Sequence, residues 1–330
     1  MRLITKAATV GFASLLALSV SATSFSSDAA AAWKPQKPVE FVIMAGKGGG
    51  ADRLARFIQG IIKKHGFASL PFVPINKGGG SGAEALRYVR DKAGDPHVIM
   101  ATLNSYYTTP LRNPGLGVDI SKFTPIARMA EDTFQLWVSS DTKIMNVEQY
   151  VAAVKKAGMA NWKMGGTGKG AEDSLVTAML EKTYGFQVTY IPFKGGGTVA
   201  KQLIGKHINS TVNNPSEQMG FFQAGKSRPL ATFTPNRLKV FPNVPTFREL
   251  GHDLVYFMQR SVVAPPGISK DAQAYYVGVF EKVYQSKEWQ TYLTKKGLLP
   301  GWLTGDKLTS YFVKEREAHR KLLASMGEIK

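Results

Sequence analysis

The sequence predicts an α/β protein of two lobes, and three observations carry that reading. Short β-rich runs alternate with amphipathic helical runs from Val39 onward, a second series with its own apolar core starts after Val138, and the chain ends in helices that need an existing surface to dock on. The economical arrangement puts residues 33–137 and 259–330 in lobe one and 138–258 in lobe two. The chain then crosses twice, near 134–138 and 257–261, and the two crossings form a hinge.

In the first series, 39–45 reads as a buried strand of a largely parallel sheet. A helix over 52–65 follows, because Leu54, Phe57, Ile58, Ile61 and Ile62 recur at the spacing that lines one helix face. Strands at 72–76 and 97–103 flank a helix at 83–90, and each crossover is expected to return to the same sheet edge. In the second series Asn146 and Gln149 make a capping box for a helix that Gly158 ends. Strands are expected at 162–166, 187–193 and 207–213, with helices at 171–184 and 199–204, and Pro215 opens a helix that Gly225 closes. The last third gives a strand at 260–264 and a helix from Ser269 with Ala272, Tyr276, Val279, Phe280 and Val283 inward. Helices at 288–296 and 308–326 complete it.

The chain has 330 residues and no cysteine, which removes thiolate nucleophiles, zinc knuckles and iron–sulfur clusters from the candidate chemistries. Its formal charge of +18 invites a nucleic-acid reading, yet no Lys/Arg run exceeds two residues and the basic residues are spread along the chain. We therefore expect no nucleic-acid partner, and an evenly basic surface that draws small anions toward a cleft. Residues 1–32 read as an export signal: Arg2 and Lys6, an apolar core at 10–20, then small residues at 29–32 with cleavage near Ala32. That core is shorter than the roughly 20 residues a membrane-spanning helix needs, so a periplasmic protein is expected.

One tetrapeptide recurs three times between a predicted strand and a predicted helix: Lys47-Gly48-Gly49-Gly50, Lys77-Gly78-Gly79-Gly80 and Lys194-Gly195-Gly196-Gly197. A fourth loop, 165–170, has the same ingredients. Glycines there let a ligand approach the main chain while the N–H groups and positive dipole end of the next helix face outward, which suits an anion. The plainer alternative is tight connections only. We favour backbone N–H groups as the anion's direct partners, with Lys169 and Lys194 as candidates for direct contact.

Nucleotide readings fit less well. Gly46-Lys47-Gly48-Gly49-Gly50-Ala51 has the form of a dinucleotide fingerprint, but the next strand ends Pro74-Ile75-Asn76-Lys77 without an acid for a ribose. Lys163 stands where a P-loop has its first glycine, and no Ser or Thr follows Lys169. The five histidines are scattered and no nucleophile elbow occurs, so neither a catalytic residue, a metal site nor a cofactor is expected. Asp52, Glu84, Glu172 and Asp173 read as dipole partners in helix first turns. At other strand ends, Asn104-Ser105-Tyr106-Tyr107 and Asn213-Asn214 sit where α/β sheets present ligand contacts, with Tyr106 or Tyr107 as a flat wall.

At this point the chain resembles the solute-binding proteins of the tripartite tricarboxylate transporter family, the extracytoplasmic Bug-type receptors. The resemblance is carried by Lys37-Pro38-Val39, the first glycine loop with Asp52 and Ala55-Arg56, and residues 76–82, 123–128 and 165–170. It continues through 191–196, 224–226, 242–246 and Glu249-Leu250-Gly251. The resemblance implies a type II periplasmic-binding-protein fold whose cleft closes on a carboxylate and hands it to a membrane permease. The first loop lacks the family's usual proline, and Asn213-Asn214 stand where an acidic residue is common, which argues against an amino-acid ligand.

The expectation is therefore a monomeric, non-enzymatic receptor for a dicarboxylate, tricarboxylate or aromatic carboxylate. Its ligand contacts in lobe one are Gly46, Lys47, Gly48, Gly49, Asp52, Gly79, Asn104, Ser105 and Tyr106. In lobe two they are Gly166, Thr167, Gly168, Lys169, Gly170, Lys194, Gly195, Asn213 and Asn214. The competing classes are a periplasmic dinucleotide-dependent oxidoreductase and a ligand receptor for a membrane sensor.

Overall fold

The computed structural model describes Met1 and residues 33–330; residues 2–32, on which the export-signal expectation rests, lie outside the described residues. Strand β1 (Val39–Ile43) opens the first sheet and is buried on both faces. Val39, Phe41 and Ile43 enter one apolar cluster and Val42 the other, as alternation requires of a strand covered on both sides. Helix α1 (Gly50–His65) lays Leu54, Ile58, Ile61 and Ile62 on the first cluster and ends at Gly66, whose φ of 61° is the left-handed conformation glycine tolerates. Then come β2 (Phe72–Asn76), α2 (Ala83–Arg90), β3 (Val98–Thr102) and α3 (Ser105–Arg112).

Strands β2 and β3 pair in parallel with β1 on its opposite sides, so the two crossovers do not return to one edge as expected. Helix α3 (Ser105–Arg112) begins within the strand-end segment Asn104-Ser105-Tyr106-Tyr107, for which no helix is expected from the sequence. Strand β4 (Thr124–Thr133) stays in the first sheet and β5 (Gln135–Ser139) starts the second, with only Phe134 between them.

The second sheet gathers α4 (Val147–Ala157), β6 (Lys163–Gly166), α5 (Glu172–Tyr184), β7 (Thr189–Pro192) and α6 (Gly196–Ile204) around it. The series closes with β8 (Ser210–Asn213), α7 (Pro215–Gln223) and β9 (Ser227–Thr232). The predicted cap of α4 forms, since Asn146 accepts the Gln149 N–H through its side chain. The return strand β10 (Phe257–Ala264) rejoins the first sheet antiparallel to both β3 and β4. Helices α8 (Lys270–Gln285) and α9 (Lys287–Lys296), strand β11 (Leu299–Leu303) and helix α10 (Gly305–Ser325) finish the chain. Helix α10 docks on lobe one, where Phe312 meets Tyr106 and His319 meets Tyr107, each with ring centroids 5.4 Å apart.

The strand orders are β11-β4-β10-β3-β1-β2 and β7-β6-β8-β5-β9. The two-lobed α/β architecture read from the sequence is the one observed, but the first sheet is parallel only across β3, β1 and β2. A strand returning from the second sheet enters from the far side and so runs against β3. Each sheet contains the same unit, three parallel strands with the earliest in the middle, each followed by a helix. The passages between sheets are bonded to one another: Phe233 N–H donates to Phe134 O at 3.0 Å and Tyr256 N–H to Phe233 O at 3.0 Å.

Candidate functional site

The carboxyl ends of β1, β2 and β3 face those of β6, β7 and β8 across one cavity of about 880 Å³, with Met258 and Arg260 of β10 on its wall. Strand ends of α/β sheets are where side chains and helix N-termini are exposed to a ligand. All six loops singled out from the sequence reach this cavity, though not through every residue expected.

In lobe one, Gly46, Gly49, Gly79 and Ser105 line it. Lys47 is exposed away from the wall, and Gly48 turns the loop with φ 78° while donating its N–H to Asp52 at 2.9 Å. Asp52 is a buried brace of that loop, also accepting from Arg56 and from Asn76, each at 2.9 Å. Burial pulls its carboxyl up, but the Gly48 N–H, the Asn76 amide and Arg56 hold it below the usual range. Asn104 belongs to the crossing: its amide donates to Phe257 O at 2.7 Å, and its oxygen accepts the Gln259 N–H at 3.0 Å. Tyr106, expected as a flat wall, is a core residue whose hydroxyl donates to Ile120 O at 2.9 Å, and Tyr107 is buried beside it. Helix formation at 105–112 turns both rings away from the cavity and into the lobe-one interior.

In lobe two, Thr167, Gly168, Lys194, Gly195 and Asn214 line the cavity. Gly166 is packed against Tyr190, and Asn213 is fully buried with its amide 2.6 Å from Glu217 Oε2. Lys169 is exposed, and it is its carbonyl that matters, accepting from Ser81 at 3.3 Å and Arg112 at 3.1 Å. A Cβ on Gly170 would overlap Arg112.

The glycines thus serve a purpose the sequence did not reveal. A Cβ on Gly46 would overlap the Lys194 carbonyl, one on Gly197 the Gly48 carbonyl, and one on Gly168 would lie 2.6 Å from Ser81 Oγ. The close approach they permit is of one lobe to the other. Further bonds join the halves, including Arg53 Nη1 to Ser216 O at 2.7 Å.

Three buried acids complete the wall, beside the exposed Glu84. Glu217 closes a capping box on Asn214, and its Oε1 also accepts the Gly50 N–H at the start of α1, 2.9 Å away in the other lobe. Glu172 crosses in the same sense, accepting the Ser105 N–H at 2.5 Å and the Ser105 hydroxyl at 2.8 Å at the start of α3. Asp173 accepts the Thr167 N–H at 2.8 Å. Burial, then the Glu217 charge, pushes the Asp173 carboxyl well up against the pull of that N–H; burial likewise raises Glu217 against the Gly50 N–H. On the floor, Arg260 is bound by Asp132, with Nε 2.9 Å from Oδ2 and both side chains buried.

Arg260 and Glu217 escaped the sequence reading. The spacing Asn214-Pro215-Ser216-Glu217 is a capping-box signature that could have flagged the second. Nothing local marks Arg260, because its partner lies 128 residues away.

The family described as "Tripartite tricarboxylate transporter family receptor" matches residues 55–327. A curated relative, the UPF0065 protein in the gbd 5' region of Cupriavidus necator, is 24% identical over 293 residues, covering 89% of this chain and 88% of its own. The periplasmic binding protein BugD superposes with a TM-score of 0.84 at 21% identity, over 90% of this chain and 99% of that one. The R. palustris protein Rpa4515, solved with adipate, gives 0.83 at 23% identity, over 89% and 98%.

Proposed function

The chain belongs to the tripartite tricarboxylate transporter receptor family, and from that premise we propose that it is exported, captures a small carboxylate between its lobes and delivers it to membrane permease subunits without chemical change. The observation that carries this reading is the pairing of six strand-end loops, three from each sheet, around one cavity. First-turn N–H groups have no partner within their own helix, so α6, whose first residue Gly196 is on the wall, offers donors to an anion. Lys194 adds positive charge, and the adipate held by Rpa4515 supports a carboxylate as cargo. Closure then sequesters the guest, since the glycine contacts let the lobes meet without side chains in the way. The two passages at Phe134 and 233–256 are where such a motion would bend. The basic chain steers anions inward.

The test is a melting-temperature screen of the purified protein against mono-, di- and tricarboxylates, amino acids and nucleotides. A carboxylate cargo at 100 times its dissociation constant stabilises the native state by about 2.7 kcal/mol. Stabilisation by a nucleotide, with none by any carboxylate, would overturn the reading.

A further inference from the structure

Resting on the receptor reading above, we propose that the cleft selects a carboxylate bearing an ammonium group over a dicarboxylate of the same length, with Glu172 and Asp173 meeting the ammonium. The acidic lining of the wall is the first reason. Glu172, Asp173 and Glu217 all line the cavity and are 3%, 5% and 6% exposed. Of the two basic residues on the wall, Arg260 is neutralised by Asp132 and Lys194 is exposed. A dicarboxylate would set its second carboxylate among these acids, where an ammonium would meet acceptor oxygens instead.

The second reason is that lobe one's anion positions are already taken by the chain itself. Glu172 holds the start of α3 and Glu217 the start of α1. What remains for a guest is one anionic place, near Lys194 and the main chain of 194–196, with an acidic wall opposite.

Asp173 is the third. Among the described residues only Thr167 hydrogen-bonds to its carboxylate, which leaves acceptor capacity facing the cavity. Its carboxyl is raised by burial and then by its acidic neighbours, and an ammonium beside it would offset the charge of those neighbours in place of the proton. The acids do not converge as a metal cage among the described residues. The expectation against an amino-acid ligand rested on Asn213-Asn214, and the acid absent there is supplied one helical turn later by Glu217, 2.6 Å from the Asn213 amide.

The experiment is calorimetric titration of the purified protein with matched sets: adipate, hexanoate and 6-aminohexanoate, then succinate, butyrate and 4-aminobutyrate, with α-amino acids of the same lengths. The expected result is an aminocarboxylate bound about thirtyfold or more tighter than the dicarboxylate of its length, as for a buried charge given a partner. Glu172→Gln and Asp173→Asn keep their acceptor oxygens, so both variants should melt cooperatively and lose that preference. A wild-type protein that binds dicarboxylates as tightly as aminocarboxylates, or a preference unchanged in both variants, overturns the proposal and leaves the receptor reading intact. Binding of no carboxylate in these sets, together with none in the melting-temperature screen, overturns the receptor reading itself.

Discussion

The two halves of the cleft share a topology and differ in chemistry. Strands β2-β1-β3 and β7-β6-β8 present the same three carboxyl ends, each leading into a helix. Lobe one contributes N–H donors at the starts of α1 and α3; lobe two contributes Glu217 and Glu172, which reach over and fill them. A fold unit therefore sets where a site lies, and single side chains in the first helical turn set its charge. The contrast also explains why a protein of formal charge +18 has an acidic cleft wall.

The largest expected effect is at the floor the halves share. Arg260→Met would leave Asp132 buried without its partner and should lower stability by about 3–5 kcal/mol, read from denaturant unfolding; a loss below 1 kcal/mol would mean the pair is not the joint it looks to be. Next is the contact between halves. Gly46 has no positive φ, so Gly46→Ala should fold normally while its methyl meets the Lys194 carbonyl. A cost of about 1–3 kcal/mol on closure becomes a roughly five- to 150-fold weaker ligand affinity with melting of the free protein little changed. Unaltered affinity would show that the glycines are not there for closure.

The acids of lobe two give a smaller, pH-dependent effect. The Asp173 carboxyl is raised in the folded state, so the native protein keeps a proton that the unfolded chain releases near its ordinary value of about 4. That contribution to stability is complete below the unfolded value and is lost as pH rises through the folded one. The melting temperature should therefore fall from pH 4 toward neutrality more steeply in the wild type than in Asp173→Asn; parallel profiles would contradict it. The smallest effect is at Tyr106, where Tyr106→Phe removes one buried hydrogen bond and should cost about 1 kcal/mol of stability without changing ligand affinity.

How much of this was legible in the sequence depended on range. Helix α1 could be read from the spacing of Leu54, Ile58, Ile61 and Ile62, and the cap at Asn146 from its own neighbours. The glycine loops were legible as strand-to-helix turns because such turns are local. Strands β4, β9 and β11 were not, since Pro125, Arg128, Asp132, Pro229 and Pro300 break their patterns and partners far along the chain hold them. Tyr106 was misplaced because the sequence could not show that a helix starts at Ser105. The cross-lobe roles of Glu172 and Glu217 depend on two loops meeting across the cleft, which no run of residues encodes.

The central claim is that the two sets of strand-end loops close on one small carboxylate. A crystal structure of the protein grown with the tightest ligand from the titration tests it directly. The account predicts the guest between the lobes, its carboxylate hydrogen-bonded to main-chain N–H groups with Lys194 beside it, and the Gly46–Lys194 contact made. A guest seated on an outer face, or held between lobes whose glycine loops stand apart, would contradict it.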